Sequence, residues 1–491
     1  MKKLRINVFL FLFNLNIFRN IFCIFFVFYI FYSFFAIAVE EYKPLDFSGD
    51  SPLYLTKKHI IEDLTETKNI LKENYVLYLV LKKSEMELDL ILDKLAEKLL
   101  NNKTPILTHH FQKELINTFD FTEDSNLRTD FFLNKRHYIQ KVEPKVPFYS
   151  GIILAKHKDL YRVIPNSGAE KKIVNFWFVK CSSKKEVLFP ILPNRYSENL
   201  FMLGVHSNRK ENSLNCEFKN DSGNKQKIEI PLLIREVELN QSKIPIYKYN
   251  SFRTPYLRWY RDGKKEEIEV KNFYKLARKL RKSRTLIIDV RGNKFGSFYF
   301  IEKWLKEYTK NHWKNVFLKE RQTIPILKGL INRVQWNFFN TNEKFLIGKE
   351  QLEQKRSQLR ALIKHFKEKE ILEKWIETKF IFNGEKSSPE WQTKLIVIAN
   401  NHCGNGCQFL AALTKQIPNG TLIGTNTGPF SKNISGPIFQ LKNSKIMISF
   451  SNRIQIDHLG NTVSPLGYLP DYWLFPPMGE KEIQKFATKI N

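Results

Sequence analysis

The residues best placed to do chemistry lie at 400–430, in NNHCGNGCQFLAALTKQIPNGTLIGTNTGPF. An unbroken apolar run, KLIVIAN at 394–400, leads into a tight glycine-bearing turn, a helical stretch FLAALTKQI and a second strand TLIGT. A buried strand that turns sharply into a helix is the outline of a nucleophile elbow. A side chain at such a turn is held out for attack, and nearby backbone N–H groups can take an oxyanion. The helix start adds positive potential there. This turn contains no serine. It contains Cys403 and Cys407, with His402 beside them, and the loop after the second strand ends in Phe430. A cysteine nucleophile needs a thiolate and an accessible position. Joined to each other, the same two cysteines would instead cross-link the elbow.

Elements that must position this turn are visible on both sides of it. TLIIDVRGN is a continuous apolar strand, 285–290, running into a polar turn. FYFIEKWLKEYTKN reads as a helix, and 349–379 as one long charged amphipathic helix. PIFQLKNSKIMISFS predicts a hairpin. Continuous apolar strands alternating with helices predict an α/β core with some parallel pairing. The front of the chain is helical. HIIEDLTETKNILKENY carries Ile60, Ile61, Leu64, Ile70 and Leu71 at helical spacing. SEMELDLILDKLAEKLLNNK opens with Ser84 and Glu87 as a capping box and lines up Leu88, Ile91, Leu92, Leu95 and Leu99. A third helix is expected near 109–119. Between 148 and 237 the pattern changes to short strands, YSGIILA, LYRVI, VNFWFV and QKIEIPLLIREV, separated by turn residues.

The chain has 491 residues, 14% aromatic, so a large core in several parts is expected. The formal charge of +29 admits anionic partners. The basic residues are scattered among acidic ones, so no nucleic-acid partner is expected; an anionic membrane surface stays open. The first forty residues read as an export signal. Lys2, Lys3, Arg5 and Arg19 precede the apolar run IFCIFFVFYIFYSFFAIA, which ends in the small-x-small pattern Ala36-Ile37-Ala38. Cleavage after Ala38 is expected, and the run is also long enough for an uncleaved anchor. Export to a periplasm or cell envelope allows disulfides among Cys181, Cys216, Cys403 and Cys407. A Cys181–Cys216 bridge would close a loop within one region. Neither a metal nor a cofactor is expected: there is no CxxC pair, and His109 and His110 are adjacent and diverge on a helix.

Three stretches taken together resemble one family, the C-terminal-processing (tail-specific) serine peptidases. LIIDVRGNKFG at 286–296 is similar to the family's strand ending in Asp-Leu-Arg-Gly-Asn and two glycines. The elbow is similar to its serine-bearing turn, helix and Gly-x-x-Thr loop. GYLPDYW at 467–473 is similar to its Pro-Asp pair. Their order and spacing agree as well. The resemblance implies a signal peptide or anchor at 1–38 and a helical region at 39–145. It also implies a degenerate PDZ-like domain at 146–240 and an α/β peptidase-like core of ClpP/crotonase type at 241–491.

The family's chemistry pairs a serine nucleophile with a desolvated lysine base. The serine lies three residues before a glutamate; here Gln408 fills the glutamate slot and Asn405 the serine slot. The lysine follows the Gly-x-x-Thr loop; Gly424–Thr427 here puts Phe430 in its place. Neither replacement can do the work: asparagine is a poor nucleophile, and phenylalanine accepts no proton. Gly406 still offers an oxyanion N–H. Phe295 replaces one of the two strand-end glycines, leaving Gly296 as the other candidate donor. Lys432 is an alternative base on a shifted loop.

Three functions follow as expectations. The first is a non-catalytic homologue that binds polypeptide C-termini or unfolded envelope proteins. The second is an active peptidase, serine-type or cysteine-assisted, with a shifted catalytic set drawn from Lys432, Cys403, Cys407 or His402. The third is a structural envelope component with a basic surface. The resemblance supplies PDZ-type strand addition as a binding mode, although no carboxylate loop stronger than YSGIILA is visible.

Overall fold

The computed structural model describes residues 42–47, 49–80, 85–101, 105–122, 124, 126–142, 146–165, 171–182, 186–192, 199–207, 211–232, 246–249, 254–259, 267–293, 298–309, 313–339, 349–382, 393–404, 406–417, 419–428, 436–457, 459–463, 467–474, 483 and 485–486. The expected leader, 1–38, lies outside them. Among the described residues no helix is long and apolar enough to cross a membrane.

The front begins with β1 (Tyr54–Leu55) and α1 (Lys57–Asn74). Thr56 caps α1 by accepting the His59 backbone N–H at 3.3 Å. Ile60, Leu64, Ile70 and Leu71 face inward as their spacing predicts, while Ile61 is turned to solvent. After α2 (Val76–Val80), α3 (Glu85–Leu100) buries Leu88, Leu92, Leu95 and Leu99. Ser84, its expected cap, lies outside the described residues. β2 (Ile106–Leu107) pairs antiparallel with β1, and α4 (Thr108–Thr118) follows. The front is not wholly helical. β3 (Arg128–Leu133) and β4 (Arg136–Lys141) form a tight hairpin whose turn residues, Asn134 and Lys135, have φ of 50° and 61°. β4 is charged and largely exposed, so it carries no alternating apolar signal.

The middle is antiparallel. Its strands are β5 (Val146–His157), β6 (Leu160–Val163), β7 (Trp177–Cys181), β8 (Glu186–Ile191), β9 (Leu200–Ser207), β10 (Ser213–Lys219) and β11 (Lys225–Pro231). They lie in the order β11-β10-β7-β6-β5-β9-β8. Cys181 and Cys216 are direct neighbours across β7 and β10 and form a disulfide.

β12 (Ile246–Tyr249) and β13 (Pro255–Arg258) open the core, followed by α5 (Glu267–Leu280), β14 (Thr285–Asp289) and α6 (Phe298–Thr309). β15 (Trp313–Gln322), α7 (Ile324–Phe339), α8 (Lys349–Glu368) and β16 (Lys374–Phe382) come next. β17 (Lys394–Ala399), α9 (Gly406–Thr414) and β18 (Gly420–Gly424) complete the elbow region. β13, β14, β17, β18 and the late β22 (Tyr472–Trp473) pair in parallel, in the order β22-β18-β17-β14-β13. Both faces are covered, which is why these strands read as unbroken apolar runs. Leu286, Ile288, Leu395, Val397 and Leu422 pack with α5, α6 and α9. Ile287, Ile396, Ile398 and Ile423 pack with Tyr256, Leu474 and Phe486 on the other side. Trp473 also pairs in parallel with Ile191, so one sheet runs from the middle through the core. The architecture is mixed α/β, with parallel pairing where the apolar runs predict it.

The long helix expected over 349–379 ends at Glu368. Glu370 takes φ of 50°, and 374–382 is instead a strand antiparallel to β15. KWIETKFIF satisfies its backbone on a partner some sixty residues earlier, a pairing that helical periodicity cannot register.

β19 (Ile438–Gln440) and β20 (Met447–Ser449) form the expected hairpin, and β21 (Arg453–Ile456) pairs with β15. β20 pairs with β3, giving the sheet β19-β20-β3-β4 and closing the chain's end onto its front. Buried Asp63 of α1 accepts the backbone N–H groups of Asn443 (3.0 Å) and Ser444 (2.8 Å) and holds this hairpin's turn.

The Cys181–Cys216 bridge closes a loop of sequence separation 35 in the unfolded chain. Replacing both cysteines with serine is expected to lower stability by about 2–4 kcal/mol, read by urea unfolding under non-reducing conditions.

Candidate functional site

The site is assembled at the C-terminal ends of β14, β17 and β18. β14 ends at Asp289. Val290 N–H bonds to Ile398 O at 2.9 Å, and Asn293 N–H turns back to Val290 O at 3.1 Å. Across from this turn, Asn400 follows β17 directly. Its Oδ1 accepts the backbone N–H of Gly292 (3.0 Å) and of His402 (3.3 Å), so one side chain ties the two turns together. Gly404 N–H adds a second tie, to Asn293 O at 3.3 Å.

The elbow itself is closed covalently. Cys403 and Cys407 form a disulfide, and both are fully buried. Cys407 N–H also bonds to Gly404 O at 3.1 Å. A bonded, buried pair offers no thiolate, so neither cysteine serves as the nucleophile that the sequence left open. Gly406 is the first residue of α9, where N–H groups lack intrahelical partners, the position an oxyanion donor requires. Asn405, Gly296, Phe430 and Lys432 lie outside the described residues. Their flanks, Gly404 and Gly406, Asn293, Gly428 and Gly436, do not.

The Gly-x-x-Thr loop packs directly on the elbow. Gly424 has φ of +125°, and a Cβ there would lie 1.9 Å from Ala399 O, so only glycine allows β18 to pass β17 at this height. Thr425 N–H bonds to Ala399 O (3.1 Å), and Gly428 N–H to Cys403 O (2.9 Å). Thr427 is bound twice by Tyr468: its N–H donates to Tyr468 O (3.0 Å), and its Oγ1 accepts Tyr468 N–H (2.8 Å). Gln408, in the glutamate slot, is fully buried and donates its amide Nε2 to Gly428 O. A carboxylate there would face a carbonyl oxygen, so the neutral amide fits this loop. Sequence reasoning gave Gln408 only as a marker of register; a buried amide on the first turn of a helix was the available signal.

The Pro-Asp corner is an anchor. Asp471 accepts Lys415 Nζ (2.7 Å) and Leu422 N–H (2.8 Å), and its own N–H returns to Leu422 O (2.7 Å). Asp289 anchors the other turn. Its carboxylate takes Arg291 Nε (2.9 Å) and Nη2 (2.7 Å) and the Tyr256 hydroxyl (2.6 Å). Burial pulls this carboxyl upward, but the Arg291 hydrogen bonds and charge and the Tyr256 hydroxyl outweigh it and hold the carboxyl below its ordinary value.

A carboxyl depressed in the folded state contributes stability that is present above its unfolded pKa, about 3.9, and lost as pH falls through the lower folded value. Asp289→Asn leaves the half-buried Arg291 without its counter-charge and is expected to cost about 3 kcal/mol at pH 7. The deficit against the natural chain should shrink as pH drops below the usual carboxylate range. Urea unfolding at pH 7 and pH 3 measures both.

The model of Peptidase family S41 matches residues 248–473. No curated protein matches the chain. Among solved structures, mature CPAF complexed with lactacystin is 13% identical, covering 88% of this chain and 97% of that one, with a TM-score of 0.40. The photosystem II D1 C-terminal processing protease is 12% identical over 87% of this chain and 96% of that one, with a TM-score of 0.31. The tricorn protease is 13% identical over 88% of this chain and 37% of that one, with a TM-score of 0.32. The family match spans the Asp289–Asn293 turn, the elbow, the Gly424–Thr427 loop and the Asp471 corner, so residues 248–473 are similar to peptidase family S41, the C-terminal-processing peptidases.

Proposed function

We propose that this chain is a non-catalytic member of its family that captures polypeptides in the cell envelope. The observation that carries the reading is Asn405 in the nucleophile slot, between the described residues Gly404 and Gly406 of an otherwise complete elbow. Phe430 in the base slot supports it: a phenyl ring there can pack against a ligand but takes no proton. The Cys403–Cys407 disulfide supports it from another direction, since it removes the thiol route to hydrolysis. Gln408 is consistent with the same change, being neutral where the family carries a carboxylate.

The apolar, positively charged leader and two disulfides support an exported protein. The antiparallel middle acts in this reading as a degenerate PDZ-like module. Among the described residues β11 terminates its sheet, and an extended polypeptide adds there as a further strand.

Titration of the purified chain with a labelled, unfolded polypeptide is expected to give saturable binding with a Kd on the order of micromolar, and the polypeptide should be recovered at full length. Absence of saturable binding at a hundredfold higher concentration would refute capture.

A further inference from the structure

The sheet β16-β15-β21 ends at β16, whose outer backbone edge meets no further strand among the described residues. β16 is a long edge, the 9 residues KWIETKFIF at 374–382. Its approach and first half lie open. Leu372 is 89% exposed and Trp375 37%. Lys374, Glu377 and Thr378 are exposed as well. An edge strand presents unpaired N–H and C=O groups that template pairing with another chain, and charges along it normally block that pairing. β16 carries Lys374, Glu377 and Lys379. Their order decides which chains they block.

Laid antiparallel against its own copy, β16 overlaps completely in a single register, with Thr378 opposite Thr378. That register sets Glu377 opposite Lys379 on both sides of the centre. It sets Trp375 opposite Ile381, Ile376 opposite Phe380 and Lys374 opposite Phe382. Opposite charges meet, apolar positions meet apolar positions, and no like charges face each other. Directly opposed pairs of these kinds stabilise a sheet, and opposed like charges destabilise it. A one-residue slip in either direction moves Glu377 off Lys379. A parallel pairing in register would set every charge against its like. The sheet already uses such pairs on its inner side. Lys319 of β15 meets Glu377 at 3.0 Å, and Arg453 of β21 meets Glu320 of β15 at 2.5 Å. Position 379 of a second copy extends the Lys319–Glu377 row with alternating sign.

We propose that β16 is a self-association edge: two copies of this chain join antiparallel along it, with a two-fold axis at Thr378. The interface is isologous, so each favourable pair occurs twice. It merges the two sheets through main-chain hydrogen bonds, and the charge order selects the second copy over an arbitrary strand.

The test is sedimentation of the purified full chain over a range of concentrations, with the Tm of each variant as the check on folding. The natural chain is expected to dimerise with a Kd on the order of micromolar. Glu377→Lys and Lys379→Glu should each raise that Kd about tenfold or more, because symmetry applies each change twice. The combined reversal Glu377→Lys/Lys379→Glu should return it to within about threefold of the natural value. These are changes on an exposed edge, and all three variants should melt near the natural chain at low concentration. Thr378→Cys should form a disulfide between copies through position 378, since opposed residues of an antiparallel pair lie within disulfide reach. Lys374→Cys should not link to itself, because its opposite position is 382. A natural chain that stays monomeric at about a hundred times the expected Kd overturns the proposal. So does a dimer that the single reversals leave unchanged, a combined reversal that fails to recover, or linkage through position 374 and not 378. A monomer whose β16 amides gain exchange protection only when an unfolded polypeptide is added also overturns it, and gives the edge to a captured chain.

Discussion

Parallel pairing of β14, β17 and β18 is the constraint on which the rest of the site depends. Their residues pair one to one, Leu286 with Leu395 and Leu395 with Gly420, so the three strands end at the same level. Every element of the site hangs from those ends: the Arg-Gly-Asn turn, the elbow and the Gly-x-x-Thr loop. Burial on both faces leaves the strands no freedom to slide, because a one-residue slip would reverse which side chains meet the helices. Gly424 then lets β18 approach Ala399 closely enough for the loop beyond it to reach the elbow.

Keeping this frame does not require keeping its chemistry. The ties among the three turns run through backbone groups, Asn400, Thr427 and Gln408. None depends on the side chain in the nucleophile slot. A serine–lysine pair asks the fold to bury a neutral amine and to aim a hydroxyl at it, at a cost in stability. In the proposed reading, Asn405 and Phe430 remove that demand. The Cys403–Cys407 disulfide adds a covalent clamp to the turn.

What the sequence made legible follows from the range of the forces involved. TLIIDVRGN and KLIVIAN are buried on both faces, so composition alone identified them as core strands. The apolar faces of α1 and α3 were readable because helical burial repeats every three to four residues. Three slot assignments could be made by spacing, since the elbow and its loop are continuous in the chain. Long-range partners were not legible. β3 and β4 were missed because β4 is charged and exposed, and β3's other partner is Met447–Ser449, more than three hundred residues later. β16 was read as helix because its strand partner is remote and its charges suit either structure. Asn400 gave no local signal: it matters only for what the fold places beside it.

The central claim is that the frame persists and the catalytic pair does not. Its most direct test is to compare the natural chain with Asn405→Ser/Phe430→Lys on unfolded protein substrates, reading new termini by mass spectrometry. The account predicts no new termini from the natural chain and cleavage by the double substitution. New termini generated by the natural chain itself, and persisting when Cys403 and Cys407 are both alanine, would contradict it and require a nucleophile elsewhere in the fold.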